Sequence, residues 1–111
     1  MKRLLFILLA LTLLIANLIS CSETETIDYT NITDFEAALN NGDDLTGKSV
    51  TFEVKEFVPD SAFGYNMQAG EHLNFCSSEH PGVNTGDTIS VKVTSITSIF
   101  GVYIIYYEKI S

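Results

Sequence analysis

Basic side chains are scarce in this 111-residue chain, with six Lys and Arg against fourteen Asp and Glu and a formal charge of −8. The only arginine is Arg3, and beyond residue 20 four lysines face all fourteen acids, a balance of −10. Phosphate contacts dominate nucleic-acid affinity, so such a surface argues against a nucleic-acid partner. The length excludes a second domain and a large enclosed cleft; a chain of this size buries roughly 60 to 65% of its unfolded surface and has little stability to spare. No apolar run reaches the roughly 20 residues that span a bilayer core comfortably. The longest, Leu4 to Leu18, is 15 residues and includes Thr12 and Asn17. The acids are dispersed: Asp43-Asp44 is the only adjacent pair and does not make a calcium loop.

What is present divides into two materials. Met1-Lys2-Arg3 followed by the apolar run has the form of a secretory signal over residues 1–20. The run ends in Leu18-Ile19-Ser20-Cys21 and passes at once into polar SETETIDYTN. That tetrapeptide resembles the lipobox of bacterial lipoproteins. The resemblance implies that Cys21 carries a diacylglyceryl thioether and begins the mature chain, which would sit on the extracytoplasmic face of a bacterial cell membrane. Two or three acyl chains, at about 0.8 kcal/mol per buried CH₂, make that anchoring stable. With Cys21 lipidated, Cys76 is the only remaining thiol, so no intramolecular disulfide can form. Residues 21–32 then read as the lipidated cysteine and a flexible tether, and residues 33–111 as the domain.

Within the domain, Thr33 with Glu36 fits a capping box, and Phe35, Ala38 and Leu39 recur at helical spacing up to the Gly42 stop. From Leu45 the period becomes two. Val50, Phe52 and Val54 alternate with polar residues; a slip at Glu56-Phe57-Val58 marks a bulge or bend in one long first strand, and Pro59-Asp60-Ser61 reads as a turn. Phe63 to Gln68 and Glu71 to Ser78 form a hairpin about Ala69-Gly70, the stretch to Asp87 is loop, and Ile89, Val91 and Val93 mark the fourth strand. After a connection at Thr97 to Gly101, Val102 to Tyr107 is apolar on both faces, as in a strand buried on both sides. These elements predict an all-β domain, a small five-stranded barrel with one short N-terminal helix. The run Leu45-Thr46-Gly47-Lys48-Ser49-Val50-Thr51-Phe52, the hairpin, Gly86-Asp87-Thr88-Ile89-Ser90-Val91 and the terminal Ile-Tyr strand resemble the tRNA-anticodon-like OB family of small exported bacterial proteins. The resemblance implies an OB-like barrel, with the helix usual between its third and fourth strands replaced by a loop at Glu79 to Thr85.

OB domains often bind through the face of strands two and three, where Phe63, Tyr65 and Phe75 supply aromatic surface. The hairpin also gathers polar groups: Tyr65, Asn66, Glu71, His72 and Asn74 are expected to form a recognition surface for a small ligand or an envelope protein. A competing constellation is His72, Cys76 and His80, with Glu71 or Glu79 as a fourth member, which would suit zinc or a thiol hydrolase. It meets no fixed ligand spacing and no oxyanion motif accompanies it, so a non-enzymatic binding lipoprotein without a cofactor is the preferred reading. A metal- or thiol-dependent enzyme and a structural or immunity-type lipoprotein are the alternatives. Metabolic labelling with a fatty acid should mark the wild-type chain and leave Cys21→Ala unlabelled; label on the variant, or none on the wild type, would remove the anchor.

Overall fold

The computed structural model describes residues 26–110; the signal segment and Cys21 lie outside them. One helix and six strands follow in order: α1 (Ile32–Asn40), β1 (Ser49–Glu53), β2 (Glu56–Ser61), β3 (Gly64–Ala69), β4 (Leu73–Ser77), β5 (Thr88–Ile99) and β6 (Val102–Lys109). The helix starts two residues earlier than the capping box implies. Asn31 is the N-cap, extended at φ −129°, and its Oδ1 accepts from the Thr33 amide at 2.8 Å. That leaves Glu36 out of the cap and turns it, with Phe35 and Leu39, toward the protein interior.

The strands form one sheet in the order β1-β5-β6-β4-β3-β2, antiparallel throughout except where β4 runs parallel to β6. β1 and β2 lie at opposite edges yet only Val54-Lys55 separates them, so the sheet must curl into a half-barrel that brings its edges together at this corner. Backbone bonds fix it from both sides: the Val54 amide donates to Asp87 O at 2.8 Å, Gly86 N to Val54 O at 2.7 Å, and Lys55 N to Gln68 O at 2.8 Å.

All-β character with a short leading helix therefore holds, with six strands rather than five. The long first strand divides because the chain leaves β5 and joins β3 at Val54-Lys55, upstream of the expected slip. Pro59, expected in a turn, lies inside β2, which tolerates it because an edge strand has no second partner for the missing N–H. The turn falls instead on Ala62-Phe63, after a register shift between Val58 and Ser61. β5 continues to Ile99 through the residues expected as a connection, and Phe100-Gly101 alone closes the β5–β6 hairpin. β6 buries only Ile104 and Ile105 fully, and Tyr106 is 38% exposed. It is thus a half-buried strand and not one covered on both faces.

The core is aromatic at its centre. Phe52 stacks on Phe75 with centroids 4.2 Å apart, and Phe35 approaches Phe75 at 6.1 Å. Met67, Leu73, Ile89, Val91, Val93 and Ile105 close around them. Phe75 is fully buried, so it is not available to stack on a ligand. The Asp28-Tyr29 end of the expected tether is tied down: the Ser49 hydroxyl and amide bond the Asp28 carboxylate at 3.1 and 3.0 Å, and Tyr29 bridges to Val50. This short parallel arm covers part of the free β1 edge. Val91→Asp should unfold the domain, since an unpaired carboxylate in this core costs several kcal/mol of a stability of about 5 to 10 kcal/mol; a native circular-dichroism melt for the variant would contradict this packing.

Candidate functional site

Gly70-Glu71-His72 joins β3 to β4, and the amides of Glu71 and His72 find no partner within the hairpin. They are bonded from below by α1. The Glu36 carboxylate, only 6% exposed, accepts from the Glu71 amide at 2.8 Å and the His72 amide at 2.9 Å. His72 Nδ1 lies 3.2 Å from Glu36 Oε2, and since a carboxylate only accepts, Nδ1 is the donor in this contact; the side chain is half exposed. Gly70, at φ +55°, passes so close to Glu36 Oε1 that a Cβ there would collide with it. The turn is thus specified by one helical glutamate and one glycine.

Holding the backbone from within leaves the side chains outside. A shallow cleft of about 170 Å³ opens at this turn, lined by Lys55, Gln68, Glu71, His72 and Asn74 with Val102 at its margin. Lys55 Nζ reaches Gly70 O at 3.4 Å, a long bond that leaves the ammonium largely free. The cleft therefore offers a cation, a carboxylate, an imidazole and two amides within one small volume, a set suited to hydrogen-bonding a polar ligand.

Of the five residues expected to form a recognition surface, Glu71, His72 and Asn74 meet at this cleft. Asn66 does not: it is 6% exposed, its Nδ2 donates to Asn74 Oδ1 at 3.0 Å, and its own Oδ1 is buried without a partner. Asn74 passes the chain on by donating to Tyr103 O at 3.3 Å, so it both lines the cleft and braces β3, β4 and β6. Tyr65 belongs to a separate aromatic group, 6.4 Å from Phe57, with the His80 ring 5.1 Å from each. Sequence reasoning missed Glu36, Lys55 and Gln68 as members. A signal for Glu36 exists, because it interrupts the apolar stripe Ile32, Phe35, Leu39.

The competing set does not assemble. His72 and His80 lie beyond opposite ends of β4, His80 Nδ1 accepts from the Gly82 amide at 2.9 Å, and Cys76 is fully buried between them. Among the described residues no three His, Cys, Asp or Glu side chains come together to hold a metal. Burial pushes the Cys76 thiol up from 9.0 to about 11, and burial together with Cys76 pushes the Tyr107 phenol up from 10.0 to about 12. No family model, no curated protein and no solved structure matches the chain.

Two outcomes are expected. Glu36→Ala should lower unfolding free energy by about 2 to 4 kcal/mol, the loss of two backbone bonds to a charged acceptor, whereas His72→Ala should change it far less; equal urea midpoints for Glu36→Ala and wild type would dissolve the clamp. Cys76 protonation in the folded state is favoured, so the unfolded thiol ionises first. Its contribution to stability is full below pH 9 and is lost as pH rises toward about 11. The urea midpoint should fall across that window, less steeply in Cys76→Ala, and the native thiol should resist alkylation at pH 8.

Proposed function

We propose that this chain is a lipid-anchored extracytoplasmic lipoprotein whose OB-type barrel binds a small polar ligand, or a segment of an envelope protein, without catalysing a reaction. The observation that carries the binding reading is the cleft at the β3–β4 turn. Glu36 satisfies the turn's backbone from beneath, so the Glu71 and Gln68 side chains are not consumed in holding the fold, the His72 ring commits only Nδ1 to Glu36, and Lys55 makes only one long bond, to Gly70 O. Rigid backbone under free polar side chains is the arrangement that binding sites use to limit the entropy lost on association.

Support for the OB assignment comes from the strand order. With β1 and β2 counted as halves of one bent strand, the sheet runs 1-4-5-3-2-1 with its third and fifth strands parallel, the connectivity expected of that barrel. Anchoring is supported by Leu18-Ile19-Ser20-Cys21 at the end of a short apolar run. Among the described residues no helix is long and apolar enough to cross a membrane. A binding role is favoured over thiol catalysis because the nucleophile would be a thiolate, and Cys76 is buried with its ionisation suppressed.

The test is a nuclear magnetic resonance titration of the protein with N-acetylglucosamine and with short neutral peptides as probes of the two ligand classes. Amide shifts should concentrate at Lys55, Gln68 and Gly70 to Asn74, and Glu71→Ala with His72→Ala should abolish them while leaving the melting temperature nearly unchanged. Shifts centred on Phe57, Tyr65 and His80 instead would move the site to the other end of the hairpin and reject this one.

A further inference from the structure

We propose that the β5–β6 hairpin tip is a membrane-contacting element, with Phe100 entering the bilayer interface. Phe100 is fully exposed, and it is the one non-glycine among the described residues with a positive φ, +48°. Gly101 follows at φ +82°, so both central residues of the two-residue loop are left-handed, a turn that asks for Asn, Asp or Gly at the first position. A phenylalanine there adds strain, buries nothing, and contributes nothing to the core.

The surroundings identify the occupant. Residues 93–107 hold no charged side chain, although 20 of the 111 residues are charged. Ile99 and Val102 flank the tip half-exposed, and Ser95, Thr97, Ser98, Tyr103 and Tyr106 provide hydroxyls behind it. An apolar point backed by neutral hydroxyl and tyrosyl groups matches the gradient from acyl chain to headgroup, where aromatic residues concentrate. A partner protein of opposite charge would be recognised through the acids, and this segment of an acidic chain has none. The tip closes one register position beyond Leu73↔Tyr103, the last pair shared with β4, so Phe100 and Gly101 lie past the end of that strand.

One phenylalanine contributes on the order of tenfold to a hundredfold in partitioning, too little to hold a domain at a membrane by itself. The inference therefore rests on the tether at Cys21 from the proposed function, with the tip orienting a domain already held near the surface. Six residues lie between Cys21 and Asp28, and the seven steps along the chain give an extended reach of at most roughly 25 Å. Asp28 bonds Ser49, whose partner on β5 is Lys92, seven residues from Ile99, or roughly 23 Å along the strand. A fully extended tether of that length would let anchor and tip reach the same surface.

No tryptophan occurs in the sequence, so Phe100→Trp creates a single reporter. The full chain, as matured in the producing cells, is reconstituted on phosphatidylcholine vesicles with brominated acyl chains. Indole emission from position 100 should shift to the blue and lose most of its intensity. Phe63→Trp, which reports from the opposite end of β4 at a side chain 43% exposed, should stay unquenched. Anionic phosphatidylglycerol should reduce the quenching at position 100, because the domain is acidic. Protein that floats with the vesicles while the indole at position 100 remains water-like and unquenched overturns the tip and leaves the anchor standing. Protein that fails to float overturns both. Equal quenching at positions 63 and 100 shows an unoriented domain, and a blue shift without lipid that grows with protein concentration shows self-association; either result also overturns the proposal.

Discussion

The buried carboxylate of Glu36 is the constraint on which most of this structure turns. A charge at 6% exposure is tolerable only where donors surround it, and here three nitrogens do so: the amides of Glu71 and His72 and the His72 ring. Those contacts are 35 and 36 residues away in sequence, so they close a long loop with a directional bond as well as apolar contact. They set the rotation of α1 about its axis. With Glu36 pointing at the turn, Phe35 and Leu39 on the same side enter the core, and Phe35 reaches Phe75. A helix rotated by one residue would lose both the clamped turn and the aromatic plug.

A second constraint is topological and follows from two residues. Val54-Lys55 links edge strands on opposite sides of the sheet, so curvature is required by connectivity before any side chain is considered. Side chains then settle how the interior fills. Phe52 and Phe75, facing each other across the curl at 4.2 Å, occupy space that a flat sheet would expose to water, and the helix closes what remains. The corner and the clamp act together, since the Lys55 amide bonds Gln68 O in the same hairpin whose turn Glu36 holds.

Local periodicity exposed much of this fold and little of the site. Alternation at Val50-Phe52-Val54 and Ile89-Val91-Val93 located β1 and β5 because each has one buried face, and all six of these side chains are in the core. What alternation could not show was partnership. A strand that changes partner at Val54-Lys55 keeps a pattern that reads as one bent strand, and Pro59 reads as a turn until the absence of a second neighbour is known. Asn31 and Thr33 compete for one helix start, and sequence spacing favours the residue with a Glu three positions on; the tertiary use of that Glu reverses the outcome. Glu71, His72 and Asn74 were legible as a polar cluster because they are near in sequence. Lys55 and Gln68 join them only through the strand pairing, and Asn66 is withdrawn by its bond to Asn74.

The cleft and the hairpin tip occupy the same end of the barrel, since Val102 is a neighbour of Gly101 and also lines the cleft. That proximity makes the two readings constrain each other. A tip seated in a bilayer interface would bring Glu71, His72 and Lys55 to the level of the headgroups, where a bound ligand must itself be a molecule found at the membrane surface. A domain whose tip stays in water would leave the cleft open to ligands free in the surrounding solution. The acidic balance of the chain weighs on this choice, because a −10 domain approaches a neutral surface more readily than an anionic one, and the segment nearest the tip is the part from which charge is missing. Ligand class and membrane orientation are thus one question, and the geometry of Val102 between cleft and tip is what joins them.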